Sequence, residues 1–411
     1  MIHQRIKLGD HIETLKGYAF KSEWYLNEGI PIVRVSNFTE DTISDDGLNY
    51  INIEIASNYK KYSLEIDDII IQTVGSWPNN PNSVVGKVIR VPIKFRGALL
   101  NQNAVKLIPR SEINKKYLFY CLKNESFKEY IINCAQGAAN QASITLESIR
   151  EFEFDLPSIE TQTKIAYILS AYDDLIENNT RRIQILEQMA QTIYKEWFVN
   201  FHFPGYENTK FIDSAIGKIP EGWGIKKASE AITINPRVLI SKTEKIPFVT
   251  MDKLSYDSMI INSWDYCINK NGSKFQNNDT LFARITPCLE NGKTGFVQFL
   301  NEDGIGVGST EFIVLRSNSL SPEYVYLLSR QHDFRSNAIN SMAGASGRQR
   351  VHVDCFNKYL LANPEKEILN LFTKTIRPLF RQINCLNEKN NILHRTRDLL
   401  LPKLMSGEVE V

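Results

Sequence analysis

The sequence predicts an α+β protein of two similar globular domains separated by two long antiparallel coiled-coil helices, a pseudo-two-fold tandem repeat. Three observations carry that prediction. One residue pattern recurs 207 positions later, the first part of each copy is rich in short β-favouring runs, and each copy ends in an apolar seam of heptad spacing.

The repeat is clearest in the middle of each copy. Tyr117-Leu118-Phe119-Tyr120 is echoed by Tyr324-Val325-Tyr326-Leu327, and Phe127 by Phe334, at the same offset of 207. That offset holds without a gap through Asn133/Asn340, Gly137/Gly344, Pro157/Pro364, Glu160/Glu367, Ile176/Ile383 and Leu186/Leu393. Chance does not easily keep one register for so long. Upstream, with small gaps, Gly29-Ile30-Pro31-Ile32-Val33 resembles Lys245-Ile246-Pro247-Phe248-Val249, and Asp68-Ile69-Ile70 resembles Asp279-Thr280-Leu281. These apolar runs, bounded by Gly, Asn and Pro, read as strands joined by turns. The loops between them have diverged, as different targets or simple drift would produce.

From about Ser158 the spacing becomes helical. Apolar residues step by four and three through Ile165, Leu169, Tyr172 and Ile176, then Asn179, then Ile183, Leu186, Ala190, Ile193 and Trp197. The second copy runs Phe372, Ile376, Leu379, Ile383, Leu386, then Asn390, Leu393, Arg397, Leu400 and Leu404. A seam of that length needs a partner helix, and the nearest candidate is its own duplicate. Charge agrees: residues 158–200 carry four basic and six acidic groups, and 365–405 carry eight and four. Units related by a two-fold place their helices antiparallel. Setting Asn179 opposite Asn390 then brings Ile165 to Leu404, Ile176 to Leu393 and Trp197 to Phe372. The alternative for each Asn is a seam edge facing solvent. Pro378 removes a hydrogen-bond donor inside the second helix, so a kink, or a helix starting there, is expected. The expected division is a first domain over 1–157, a central helix over 158–203, a second domain over 204–363 and a distal helix over 364–411.

Composition narrows the class. With 411 residues, 43% hydrophobic and 23% charged, the chain suits two ordinary globular cores. Its formal net charge of +1 means that any affinity for nucleic acid must be local. No run is apolar enough for a membrane span or signal peptide, so no membrane partner and a cytoplasmic location are expected. The six scattered cysteines lack finger spacing and read as small core residues, with no metal site.

Three motifs then point to a family. Leu156-Pro157-Ser158-Ile159-Glu160-Thr161-Gln162-Thr163-Lys164-Ile165-Ala166 precedes the first long helix, Gly217-Lys218-Ile219-Pro220-Glu221-Gly222-Trp223 opens the second domain, and Leu399-Leu400-Leu401-Pro402-Lys403-Leu404-Met405-Ser406-Gly407-Glu408 lies at the end. In this order they resemble the DNA-specificity subunits of type I restriction-modification enzymes. The resemblance differs in detail: the family usually has Pro-Pro and Glu-Gln where this chain has Pro157-Ser158 and Thr161-Gln162. It implies two target-recognition domains, each reading half of a bipartite, asymmetric site on double-stranded DNA, with the helices setting the spacer. It also implies docking of two methylase subunits, joined by restriction/translocase subunits. The specificity subunit itself holds no cofactor; S-adenosylmethionine, ATP and Mg belong to the partner subunits.

The residues agree that the chain carries no chemistry of its own. No proline is followed by proline, as an adenine methylase's base-gripping motif requires, none is followed by aspartate, and no Gly-x-x-x-x-Gly-Lys-Ser/Thr loop exists. Gly304-Ile305-Gly306-Val307-Gly308-Ser309 resembles a phosphate loop but leads into the strand-like Thr310-Glu311-Phe312-Ile313-Val314, so it reads as a turn or ligand-free loop. The aromatic run from Trp197 to Phe203 reads as a helix end buried against a domain rather than a base-stacking platform.

DNA reading needs Arg, Lys, Asn and Gln on loops that reach a groove. The best candidates occupy aligned places: Gln136, Asn140, Gln141 and Ser143 in the first copy, and Arg348, Gln349 and Arg350 in the second. In the resembled family this loop lies near DNA. Asn140 and Gln141 suit adenine, while Arg348 and Arg350 suit guanine or phosphate. A second set, Gln72 and Thr73 with Arg284 and Thr286, follows aligned strands, and Lys293, Lys87 and Lys274 are phosphate candidates. The rival readings are a free-standing DNA-binding regulator or helical scaffold, and, further off, an enzyme binding nucleotide at Gly304–Gly308.

Overall fold

The computed structural model describes residues 4–40, 42–45, 47–78, 84–138, 141–240, 243–345 and 347–411. The chain forms two compact units, one comprising the residues up to Leu175 together with Leu393–Val411, the other Ile176–Ile392.

In the first unit, Ile12–Lys16, Ala104–Pro109, Ile69–Gln72 and Val88–Arg90 form an antiparallel sheet in that order, and Asn49–Ile51, Ile30–Val33 and Leu99–Leu100 form a second. Ile69, Ile70 and Ile71 are all buried, because the strand is covered on both faces. The second unit repeats both orders. Ile232–Ile234, Phe312–Ser317, Thr280–Ala283 and Thr294–Phe296 make one sheet; Asp265–Ile268, Lys245–Val249 and Ile305–Gly308 make the other, extended by Ser273–Gln276. Register repeats as well: Val33 lies opposite Leu100 in a parallel pair, as Val249 lies opposite Gly308. Both aligned aspartates are buried beside cations, Asp68 with Lys106 (2.6 Å) and Lys115 (2.7 Å), Asp279 with Arg316 (2.6 Å).

The glycine-rich stretch is corrected by this topology. Ile305–Gly308 is a strand rather than a turn. A Cβ at Gly306 would strike the Phe275 ring and one at Gly308 the Phe312 ring, so these glycines make room for aromatic packing, not for phosphate.

In each unit a helix pair packs on the first sheet. Lys115–Lys123 is capped by the Asn114 side chain accepting from Tyr117 N–H, and Pro322–Arg330 by Ser321 accepting from Tyr324 N–H, at positions 207 apart.

The first long helix is Ile159–Phe198 and the second Lys366–Ser406. Pro378 therefore lies inside a continuous helix that begins twelve residues earlier, so the expectation of a start at Pro378 is wrong; the rest of the hydrogen-bond ladder and the buried neighbours Ile376 and Phe380 hold it. In the second unit the helices pair antiparallel in the expected register. Asn179 donates to Asn390 at 2.9 Å, and the rings of Trp197 and Phe372 lie 5.8 Å apart. Asn390 also donates to Thr180 Oγ1 at 3.2 Å, so both amides are buried and hydrogen-bonded inside the seam rather than facing solvent. In the first unit Ile165 and Leu404 share one core.

The motif residues explain how each helix is seated. Ser158 caps the first helix, accepting from Thr161 N–H at 3.2 Å, which a second proline could not do. Gln162 is buried, accepting from Asn114 N–H (2.9 Å) and donating to Pro157 O (2.9 Å). In the second unit Trp223 packs between Phe198, Phe201 and Phe203, so the aromatic run does bury the helix end.

One buried acid was not anticipated. Glu187 accepts from the Ser258 hydroxyl (2.8 Å) and Met259 N–H (2.9 Å), which ties the first long helix to the sheet domain of the second unit. Burial pushes its carboxyl up to about 7, and the Met259, Ser258 and Arg330 contacts only partly oppose this. The ordinary value is 4.5. Between those two values the folded state holds the extra proton, so the contribution is complete below the lower one and is lost as pH rises through the upper one. The loss is at most about 3 kcal/mol. Glu187→Gln should flatten this part of the stability–pH curve in urea melts between pH 5 and 8. Parallel curves for variant and wild type would refute the assignment.

Among the described residues no helix is long and apolar enough to cross a membrane. Cys121 and Cys355 are buried, but Cys385 is exposed on the second long helix and is not a core residue.

Candidate nucleic-acid interface

The described ends of the two aligned loops share one pairing. Gln136–Ala138 pairs antiparallel with Gln141–Ser143, Gln136 opposite Ser143, and Ser143 in turn lies opposite Val74. In the second unit Arg350 lies opposite Ala343 on one side and Ile285 on the other. Residues 136 and 343, and 143 and 350, are each 207 apart, and strand alignment equates Val74 with Ile285. A hairpin pairing laid on the end of a sheet strand is thus duplicated in register. A Cβ at Gly137 would collide with the Gln141 carbonyl, which is why the hairpin requires glycine there; Gly344 faces the Arg348 carbonyl in the same way.

The outer surface differs in chemistry. Gln136, Gln141 and Ser143 are exposed in the first unit; Asn140 lies outside the described residues. Arg348 and Arg350 are exposed in the second unit, and Gln349 is half-buried. Arg348 stands at the tip, its N–H donating to Ala345 O at 3.0 Å. Arg350 is forked onto Glu311, with Nε 2.9 Å from Oε2 and Nη2 2.6 Å from Oε1. Those bonds hold the Glu311 carboxyl below its usual range despite partial burial.

The second predicted set is corrected by burial. Gln72 is 1% exposed and donates to Val74 O (2.9 Å), and Thr73 donates to Asn103 O (2.9 Å). Thr286 is buried: its N–H donates to Gln349 O (3.1 Å) and its hydroxyl accepts from Gln349 N–H (3.1 Å). Lys293 is buried, donating to Met251 O (2.9 Å) with its ammonium 4.9 Å from the Tyr256 ring. All four are buried instead of forming an outer surface, and Thr286 holds the second hairpin at Gln349. Arg284 is half-buried, and Lys274 donates to Val238 O at 3.0 Å. Burial pulls the Lys87 ammonium down from its ordinary range.

Sequence reasoning missed three residues. Besides Glu311, Arg330 donates to Gly292 O (2.8 Å) and Tyr256 O (3.0 Å), and Arg335 donates to Leu289 O and to Thr294 Oγ1 (3.1 Å). The two arginines hold the turn from Pro287 to Gly292, while Glu311 holds Arg350. Burial, reinforced by Arg330, pulls the Arg335 guanidinium down to about 10, which leaves it charged at neutral pH. No local pattern announces such contacts, because each joins residues at least 35 positions apart.

A family model described as the type I restriction modification DNA specificity domain matches residues 3–188. The MjaIX specificity subunit of a type I restriction enzyme from Methanocaldococcus jannaschii is 27% identical over 325 residues, spanning 76% of this chain and 73% of that one. The MjaVIII specificity subunit from the same organism is 21% identical over 422 residues, spanning 99% and 92%. The crystal structure of a type I restriction-modification S subunit from M. genitalium has a similar fold, with a TM-score of 0.53 at 15% identity, covering 98% of this chain and 96% of that one.

Proposed function

We propose that this chain is a DNA-specificity subunit of a type I restriction-modification system, as its match to that specificity-domain model over residues 3–188 supports, and that each unit reads one half of a bipartite, asymmetric site on double-stranded DNA. The observation that carries the reading is the hairpin repeated in identical register with different outward side chains: Gln136, Gln141 and Ser143 on one, Arg348 and Arg350 on the other. A common scaffold with unlike polar tips is what two different half-sites require. The chain contributes recognition and no catalysis. The paired long helices set the spacer and dock two methylase subunits, with restriction/translocase subunits joining them; S-adenosylmethionine, ATP and Mg are bound by those partners.

The deciding experiment maps methylated adenines in cells expressing this chain with its methylase. A bipartite motif that needs both proteins is expected; methylation without the chain, or a motif of one continuous half, would overturn the reading. At the residue level, Arg348→Ala should weaken binding about tenfold or more at fixed salt. Unchanged affinity in a fluorescence-anisotropy titration removes Arg348 from the interface.

A further inference from the structure

Arg348 and Arg350 are two residues apart, yet they are held very differently. Arg348 projects from the tip. Arg350 is fixed at the backbone, exchanging hydrogen bonds with Ala343 (3.0 and 3.1 Å), while the next residue, Val351, donates to Arg284 O at 2.9 Å. Its side chain is fixed as well, because Glu311 occupies the Nε and Nη2 edge with three hydrogen bonds. Glu311 is itself anchored, its N–H donating to no distant loop but to Ser309 Oγ (3.2 Å) and its carbonyl accepting from Arg284 N–H (2.9 Å).

This leaves the Nη1 and outer Nη2 protons, with Nη1 bonded to no acceptor among the described residues, on a side chain still 47% exposed. Two parallel donors in one plane match the O6 and N7 acceptors of guanine in the major groove. A phosphate needs no such orientation, and the tip residue Arg348 is better suited to it.

We propose that Arg350 reads a guanine in the half-site of the second unit and that Glu311 is its positioning residue, holding the guanidinium edge-on to the base. The inference rests on the proposed function, since it takes the hairpin as the DNA-reading element. The first unit supplies the contrast. Ser143 stands where Arg350 stands, and Asn103, whose carbonyl accepts from Thr73 N–H as Glu311's does from Arg284, stands where Glu311 stands. That unit has neither the arginine nor its acidic support, so the guanine contact belongs to one half-site only.

The test is selection of duplexes from a random library by the full chain and by Arg350→Ala, Arg350→Lys and Glu311→Ala. Wild type should select a bipartite motif. Arg350→Ala and Glu311→Ala should both lose guanine preference at the same single position by about tenfold or more, with every other position kept. Arg350→Lys, which retains the charge without the fork, should lose that preference while holding overall affinity within a few-fold. Preservation of the other half-site shows that each variant is folded. Replacing that guanine by 7-deazaguanine, which lacks N7, should weaken wild type but not Arg350→Ala. Guanine preference kept in Glu311→Ala, or a uniform loss over all sequences in Arg350→Ala, overturns the inference while leaving bipartite reading intact. A wild-type chain that selects no motif overturns both.

Discussion

Replacing Arg397 by leucine should cost the first unit about 3–5 kcal/mol, the usual consequence of leaving a buried charge without its partner. Arg397 lies at a seam position of the second long helix with a side chain 8% exposed, and its Nη1 is 2.6 Å from Asp173 Oδ1 on the first. Asp173 also accepts from the Tyr120 hydroxyl, and Arg90 is 3.9 Å away. Removing Arg397 leaves the carboxylate with one neutral donor and a distant cation. The repeat itself suggests the compensating change. At the positions 207 away, the second unit places Phe380 where Asp173 stands and Ala190 where Arg397 stands, both buried in its core. Asp173→Phe combined with Arg397→Ala should therefore recover most of the loss, short of what Tyr120 and Arg90 forfeit. Urea melts of the single and double variants measure this. A single substitution costing less than about 1 kcal/mol, the range of exposed pairs, would show that the pair is solvated and unimportant.

Insertion of one heptad into each long helix beside the Asn179–Asn390 pair should abolish specific binding at the original spacing, a loss on the order of a thousandfold or more toward the non-specific level. Seven residues add about 10.5 Å to each helix, close to three base pairs at about 3.4 Å per step. A heptad also returns the seam to nearly the same face, with about 20° of drift, so the coil can re-form around the insertion. Selection from a random duplex library reads the result directly. Motifs recovered should carry a longer gap with the same half-sites. An unchanged gap would reject the helices as the spacer while leaving both hairpins as readers.

Much of this is legible in the sequence. The duplication, both long helices and their register follow from periodicity, and Asn179 meets Asn390 as the seam alignment required. Alignment also brought the two hairpins to equivalent places. Residue type was a poorer guide to the site. Gln72, Thr73, Thr286 and Lys293 have the side chains that a DNA reader uses, but all four are buried. The glycines at 306 and 308 looked like a phosphate loop and instead admit two phenylalanine rings into the core.

The division has a physical cause. Repeats, seams and helix pairing are written in the spacing of apolar residues, which a linear chain displays openly because burial of a helix face repeats every three or four positions. The sequence by itself therefore determined the tandem architecture, the antiparallel pairing and the resemblance to type I specificity subunits. Whether a polar side chain faces water, supports a loop or meets a partner depends on groups far along the chain. Glu311 and Arg350 are 39 residues apart and Asp173 and Arg397 are 224 apart, and neither pair has a local signal. Only the tertiary structure, by bringing strand ends and helix faces together, decided which arginine is forked onto Glu311 at the hairpin and which is buried against Asp173 in the seam.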